Sequence, residues 1–157
     1  SKYPNILIVR TFSKSYSLAG ARCGYAIGDV ALINGLKTIK NSFNSYTVNA
    51  LTEGIAIKAL EDKKYFATCV DKIIATRVDV SDKLRELGFD VLPSSSNFIF
   101  VRHNLKPASE LYFQLKENGV LVRHFTTGRI DDYLRITIGS PEEMKILIQK
   151  IKLILKS

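Results

Sequence analysis

Lys14 is flanked by Ser13 and Ser15, with Arg10 and Thr11 just before it and Arg22 eight residues after it. A lysine that forms an imine with an aldehyde must attack as a neutral amine. Free lysine titrates at about 10.4, so such a site has to depress that value by desolvation or by neighbouring positive charge. Lys14 follows the apolar run Ile6 to Val9 and has Arg10 and Arg22 nearby in sequence, which is compatible with that demand. A phosphate group calls for hydroxyls and a guanidinium in a tight cup. Thr11, Ser13 and Arg22 supply those groups, and Gly20 with Gly24 would let the backbone approach closely. Residue types alone leave a second reading open, in which Ser13 to Ser17 is simply a solvated loop.

Other residues with chemical potential lie further along. In Tyr133 to Ile138 the side chains alternate, Leu134, Ile136 and Ile138 on one face and Tyr133, Arg135 and Thr137 on the other. Arg135 therefore faces away from the aliphatic stripe. Arg123 ends the run Val120 to Val122, where a surface arginine closing a strand is a fair competing reading. His103 and His124 each end a strand and lack partners at metal-ligand spacing, so both read as surface residues and no metal is expected. Asp131-Asp132 reads as a turn rather than a catalytic carboxylate pair. Cys23 and Cys69 have neither the number nor the spacing of a disulfide framework, and free thiols in a reducing cytoplasm account for them.

The elements that would position these groups follow from the apolar pattern. Asn5 to Val9 suits a strand buried on both faces, as in a parallel sheet. Cys23 to Ile27 reads as a second short strand ending at Gly28. Asp29 caps a helix through about Lys40, and Thr47 to Leu60 has helical composition. Phe66, Val70, Ile73, Val80, Leu84 and Leu87 form the stripe of one long helix that runs from Tyr65 up to Gly88. Asn97 to Val101 is a strand, Pro107 opens a helix closed by Asn118-Gly119, and Val120 to Val122 is a short strand. Ser140-Pro141-Glu142-Glu143 carries the capping serine, the first-turn proline and the glutamate of a capping box. Met144, Leu147, Ile148, Ile151, Ile154 and Leu155 then form the buried stripe of the last helix.

A chain of 157 residues accommodates one ordinary domain, or one small domain and part of another. Its longest aliphatic runs are far too short to span a bilayer, so no membrane partner is expected. The net charge of +8 suits nucleic acid, anionic membranes or phosphorylated small molecules. The lysines are scattered over helical faces, as at Lys145, Lys150, Lys152 and Lys156, and form no stripe with aromatic residues. A solvated basic face is thus expected, and no nucleic-acid partner. A non-catalytic basic binding module stays as the reading from another functional class.

The stretch from Arg10 to Gly28 resembles the fold-type I aminotransferases, in which a Ser-Lys pair follows a strand and a Gly-x-Arg-x-Gly-Tyr segment comes several residues later. Here these are Ser13-Lys14 and Gly20-Ala21-Arg22-Cys23-Gly24-Tyr25. The Arg10-Thr11-Phe12-Ser13-Lys14 opening, with Leu18-Ala19-Gly20, resembles the histidinol-phosphate aminotransferase family. So do Leu92 to Phe98, Val120 to Arg123 and Tyr133 to Gly139, and the resemblance runs from about residue 5 to the end. Ala21 stands where relatives often have leucine, and Ser17 where many have glycine.

The resemblance implies an α/β fragment of a fold-type I large domain in residues 1–60, followed by a small α+β C-terminal domain in residues 61–157. It implies pyridoxal 5′-phosphate carried by Lys14 and anchored by Thr11, Ser13 and Arg22. Arg123 and Arg135 would hold the anionic end of the substrate. The reaction it implies is amino transfer between L-histidinol phosphate and 2-oxoglutarate in histidine biosynthesis, in a cytoplasmic homodimer. An aromatic aminotransferase or an amino-acid phosphate decarboxylase on the same fold is the near alternative. The family's contacts to the pyridine ring and its glycine-rich phosphate amides precede the lysine. The expectation is therefore that a larger N-terminal portion is missing and that the 157 residues alone are inactive.

Overall fold

A computed structural model describes residues 2–156. The chain divides into two compact units, Ser1–Thr68 and Cys69–Ser157.

In the first unit, strand β1 (Leu7–Thr11) pairs antiparallel with β2 (Gly24–Gly28), in a register that sets Leu7 opposite Gly28 and Thr11 opposite Gly24. The apolar run of β1 suits burial on both faces, but a lone strand pair and its helices cannot cover both. It is exposed throughout, with Val9 at 70%. The apolar run reports what the strand can pack against, whereas its direction relative to β2 is set by the short link from Phe12 to Cys23. That link holds one 3-10 turn and no crossover helix, and β2 comes back antiparallel. Gly24 is required here, because a Cβ on it would lie 2.7 Å from the carbonyl oxygen of Arg10. Two helices follow, α1 (Val30–Phe43) and α2 (Ala50–Glu61). Asp29 caps α1 by accepting from the Ala31 N–H, and Asn49 caps α2 by accepting from Thr52 N–H at 2.8 Å. That cap starts α2 three residues later than its composition suggests.

Helix α3 (Lys63–Glu86) matches the long apolar stripe and ends before Gly88, whose φ of 86° needs no Cβ penalty. In the second unit a sheet in the order β3-β4-β6-β5 is antiparallel throughout. Its strands are β3 (Phe89–Val91), β4 (Phe98–His103), β5 (Arg123–His124) and β6 (Leu134–Thr137). Helices α4 (Ala108–Glu117) and α5 (Pro141–Ile154) supply the other layer. One sheet face buries Phe89, Val91, Ile99, Val101, Leu134 and Ile136 against Val80 and Leu84 of α3, Leu111 and Leu115 of α4, and the expected α5 stripe. The capping box at Ser140 and Glu143 forms in both directions.

Two features depart from the sequence reading. β3 was not anticipated, because three residues are too few for a periodic signal. The strand expected at Val120–Val122 lies instead at Arg123–His124. The Val120 N–H donates to the Leu115 carbonyl at 2.9 Å and Gly119 takes φ 78°, so Val120 belongs to the closure of α4. The ladder begins only once that closure is complete.

Candidate active site

Thr11 and Ser13 form a single hydrogen-bonded unit. The Thr11 hydroxyl donates to Ser13 Oγ at 2.8 Å, and the Ser13 N–H donates to Thr11 Oγ1 at 2.9 Å. Arg22 follows a short 3-10 turn at Ala19–Ala21, takes a left-handed φ of 52°, and donates from Nη1 to the Ala19 carbonyl at 3.3 Å. Arg10, Thr11, Ser13, Arg22 and Gly24 line one shallow depression of about 420 Å³ along β1 and β2. Two hydroxyls and two guanidinium groups around one hollow are a donor set for a phosphate, so these residues fit a phosphorylated group.

Lys14 does not line that hollow. It sits immediately after Ser13, exposed, in a turn closed by Ser17 N–H donating to the Lys14 carbonyl at 3.0 Å. Ser17 takes φ 57°, a left-handed conformation that glycine adopts more readily. The turn is anchored by an aromatic cluster that the sequence reading missed. Phe12, only 4% exposed, lies 5.1 Å from the Tyr16 ring and 5.8 Å from the Tyr25 ring, and Tyr16 stacks on Phe66 at 4.6 Å. Such pairs hold a loop more firmly than its polar sequence suggests. A Cβ built on Gly20 meets nothing within 4 Å, so no protein atom crowds the backbone there.

In the second unit, Arg123 of β5 and Arg135 of β6 are register partners, so their side chains rise from the same sheet face. That face is the one away from the core, as the alternation around Arg135 predicts. Among the described residues neither arginine has a carboxylate at ion-pair distance, whereas Arg102 on the same face pairs with Asp90 at 3.2 Å. Aromatic rings lie between the arginines. Phe100 stacks on Tyr133 at 4.9 Å, Arg102 lies 5.3 Å from the Tyr133 ring, and Arg135 lies 5.5 Å from the Phe98 ring. The linear sequence shows no interleaving of cations and aromatics, but the sheet creates one. Its signal was present in β4, where aromatic Phe98 and Phe100 alternate with aliphatic Ile99 and Val101.

The histidines, read from the sequence as surface residues, are half-buried and engaged with the backbone. His103 Nδ1 accepts from the N–H groups of Leu105 and Lys106 at 3.2 and 3.0 Å, and its Nε2 lies 3.1 Å from the Leu87 carbonyl. A nitrogen that accepts two N–H groups carries no proton, so Nε2 donates. His124 Nε2 meets the Asp131 carbonyl at 2.7 Å, tying together the two ends of the loop between β5 and β6. Asp131-Asp132 lies in the turn before β6. Cys23 and Cys69 are free thiols. Among the described residues no helix is long and apolar enough to cross a membrane.

Residues 1–151 match the family model "Aminotransferase class I and II". The histidinol-phosphate aminotransferase of Brachyspira hyodysenteriae is 54% identical over 156 residues, covering 99% of this chain and 44% of that protein. The chain thus spans less than half the length of this curated relative. The fold matches the crystal structure of histidinol-phosphate aminotransferase from Sinorhizobium meliloti in complex with pyridoxal-5′-phosphate. The TM-score is 0.85 at 27% identity, over 98% of this chain and 42% of that one. L-threonine-O-3-phosphate decarboxylase from Porphyromonas gingivalis also matches, with a TM-score of 0.80 at 26% identity, over 98% and 48% of the two chains. With the family model covering nearly its whole length, the chain belongs to the class I and II aminotransferases.

Proposed function

We propose that this chain is the C-terminal part of a pyridoxal-phosphate-dependent aminotransferase that exchanges an amino group between L-histidinol phosphate and 2-oxoglutarate in histidine biosynthesis. Residues 1–60 would belong to the cofactor-binding large domain and residues 61–157 would form the small domain of a cytoplasmic homodimer. The observation that carries the reading is the 54% identity, over 99% of this chain, to a histidinol-phosphate aminotransferase. Geometry supports it in each unit: a phosphate donor set next to the Lys14 turn, and two arginines on the open face of the sheet with no carboxylate partner among the described residues.

In this reading Thr11, Ser13 and Arg22 bind the cofactor phosphate through charge-assisted and hydroxyl hydrogen bonds. Pyridoxal phosphate supplies, when bound, the electron sink that stabilises a substrate carbanion. Lys14 would hold the cofactor, and its Nζ would take a proton from the substrate carbon as a general base and return it as a general acid. Arg123 and Arg135 bind and orient the anionic end of the substrate.

A phosphate-ester decarboxylase is the second reading, favoured by the structural likeness to the threonine-phosphate enzyme. Assays of the full-length protein with histidinol phosphate, phenylalanine and threonine phosphate separate them. Glutamate-forming turnover with histidinol phosphate is expected; carbon dioxide release from threonine phosphate without amino transfer would overturn the reading.

A further inference from the structure

Two arginines directly opposite across an antiparallel ladder repel each other, and such like-charge pairs destabilise a sheet. Neither Arg123 nor Arg135 has an ion-pair partner among the described residues. What they share is a ring. The guanidinium carbon of Arg123 lies 5.3 Å from the centre of Phe125, and that of Arg135 lies 5.9 Å from the same ring. Both are within the distance at which a ring's negative face attracts a cation. Arg135 has a second ring, Phe98, at 5.5 Å; Phe125 is the only ring in contact with Arg123 among the described residues.

Phe125 is itself held in place. It is half-buried, with the Phe100 ring against it at 5.9 Å and 62°. Phe100 in turn is fixed by its flat stack on Tyr133. The preceding residue, His124, is tied to the Asp131 carbonyl at the far end of the loop. The ring is thus a rigid floor beneath two charges that would otherwise splay apart.

We propose that Phe125 is a positioning residue for an anion site between Arg123 and Arg135, orienting the two guanidinium groups so that one phosphate can engage both. This rests on the reading above, in which these arginines hold the anionic end of the substrate. The ring contributes no hydrogen bond to the anion. It lowers the cost of holding two like charges ready, so its loss weakens binding rather than chemistry, and weakens it mainly through Arg123.

The test uses the full-length holoenzyme and two ring-deleting variants of similar volume, Phe125→Leu and Phe125→Met, so that a folding failure in one leaves the other. The Michaelis constant for the phosphorylated donor and the inhibition constant of inorganic phosphate should both rise roughly three- to thirtyfold. The turnover number and the cofactor spectrum should stay within about twofold. Phe125→Tyr, which keeps the ring, should restore both constants. In an Arg123→Gln background Phe125→Leu should add little, whereas in Arg135→Gln it should keep most of its effect. The role is overturned if Phe125→Leu leaves both constants unchanged while Arg123→Gln raises them, or if its effect persists undiminished without Arg123. If Arg123→Gln and Arg135→Gln themselves leave phosphate inhibition unchanged, the anion site falls, and the role of Phe125 with it.

Discussion

Arg123 and Arg135 stand opposite each other across the β5–β6 ladder, two cations on one sheet face with no carboxylate at ion-pair distance among the described residues. An arrangement that is costly alone becomes favourable once a dianion bridges it. Arg135→Ala should therefore raise the Michaelis constant for a phosphorylated donor by an amount equivalent to about 1.5–3 kcal/mol. Affinity for pyridoxal phosphate should change far less. Equal losses for substrate and cofactor would place Arg135 elsewhere.

Lys14→Ala should abolish the absorbance of the lysine-bound cofactor and nearly all amino transfer in the full-length protein, because both the covalent link and the proton carrier are lost. Lys14→Arg should fare no better, since a guanidinium does not become a neutral amine. Single-turnover assays and absorbance spectra check this; a variant with parental turnover would sink the assignment.

Thr11 and Ser13 bond to each other as well as facing the hollow, so their contributions should not add. Thr11→Val and Ser13→Ala should each weaken cofactor binding by about 0.5–1.5 kcal/mol, and the double variant by less than the sum. Equilibrium titration with pyridoxal phosphate measures the three constants, and strict additivity would count against a shared phosphate cup.

His103 connects three backbone groups through one ring: Leu87 after α3, and Leu105 and Lys106 before α4. Removing it leaves a carbonyl and two N–H groups without their partner. His103→Ala should lower stability by roughly 1–3 kcal/mol, with kinetic constants of the remaining folded enzyme unchanged. Denaturant unfolding gives the first quantity and steady-state kinetics the second; an unchanged midpoint would refute the structural role.

How much could be read without coordinates depended on range. The Ser140 capping box, the Asp29 cap, the Gly88 and Gly119 helix stops and the α5 stripe are local, each made by residues a few positions apart. Chain geometry settles them, and the sequence alone was enough. In the lysine segment the residues also lie close together in the chain, and the structure brings Thr11, Ser13 and Arg22 to one hollow that Lys14 does not line. The aromatic anchor of the lysine turn was not legible, because Tyr16 and Phe66 are 50 residues apart and nothing in either neighbourhood marks the other. Nor was the antiparallel pairing of β1 with β2, since an apolar strand carries no record of the direction its neighbour will take. The pairing of Arg123 with Arg135 was also beyond the sequence. A slip of one residue in β5 would turn Arg123 to the other face of the sheet. The register is decided by where α4 finishes closing at Val120 and by the length of the loop that His124 ties to Asp131. Residue types therefore determined which groups the protein can bring to chemistry, and the tertiary structure decided that two of its arginines must share one place.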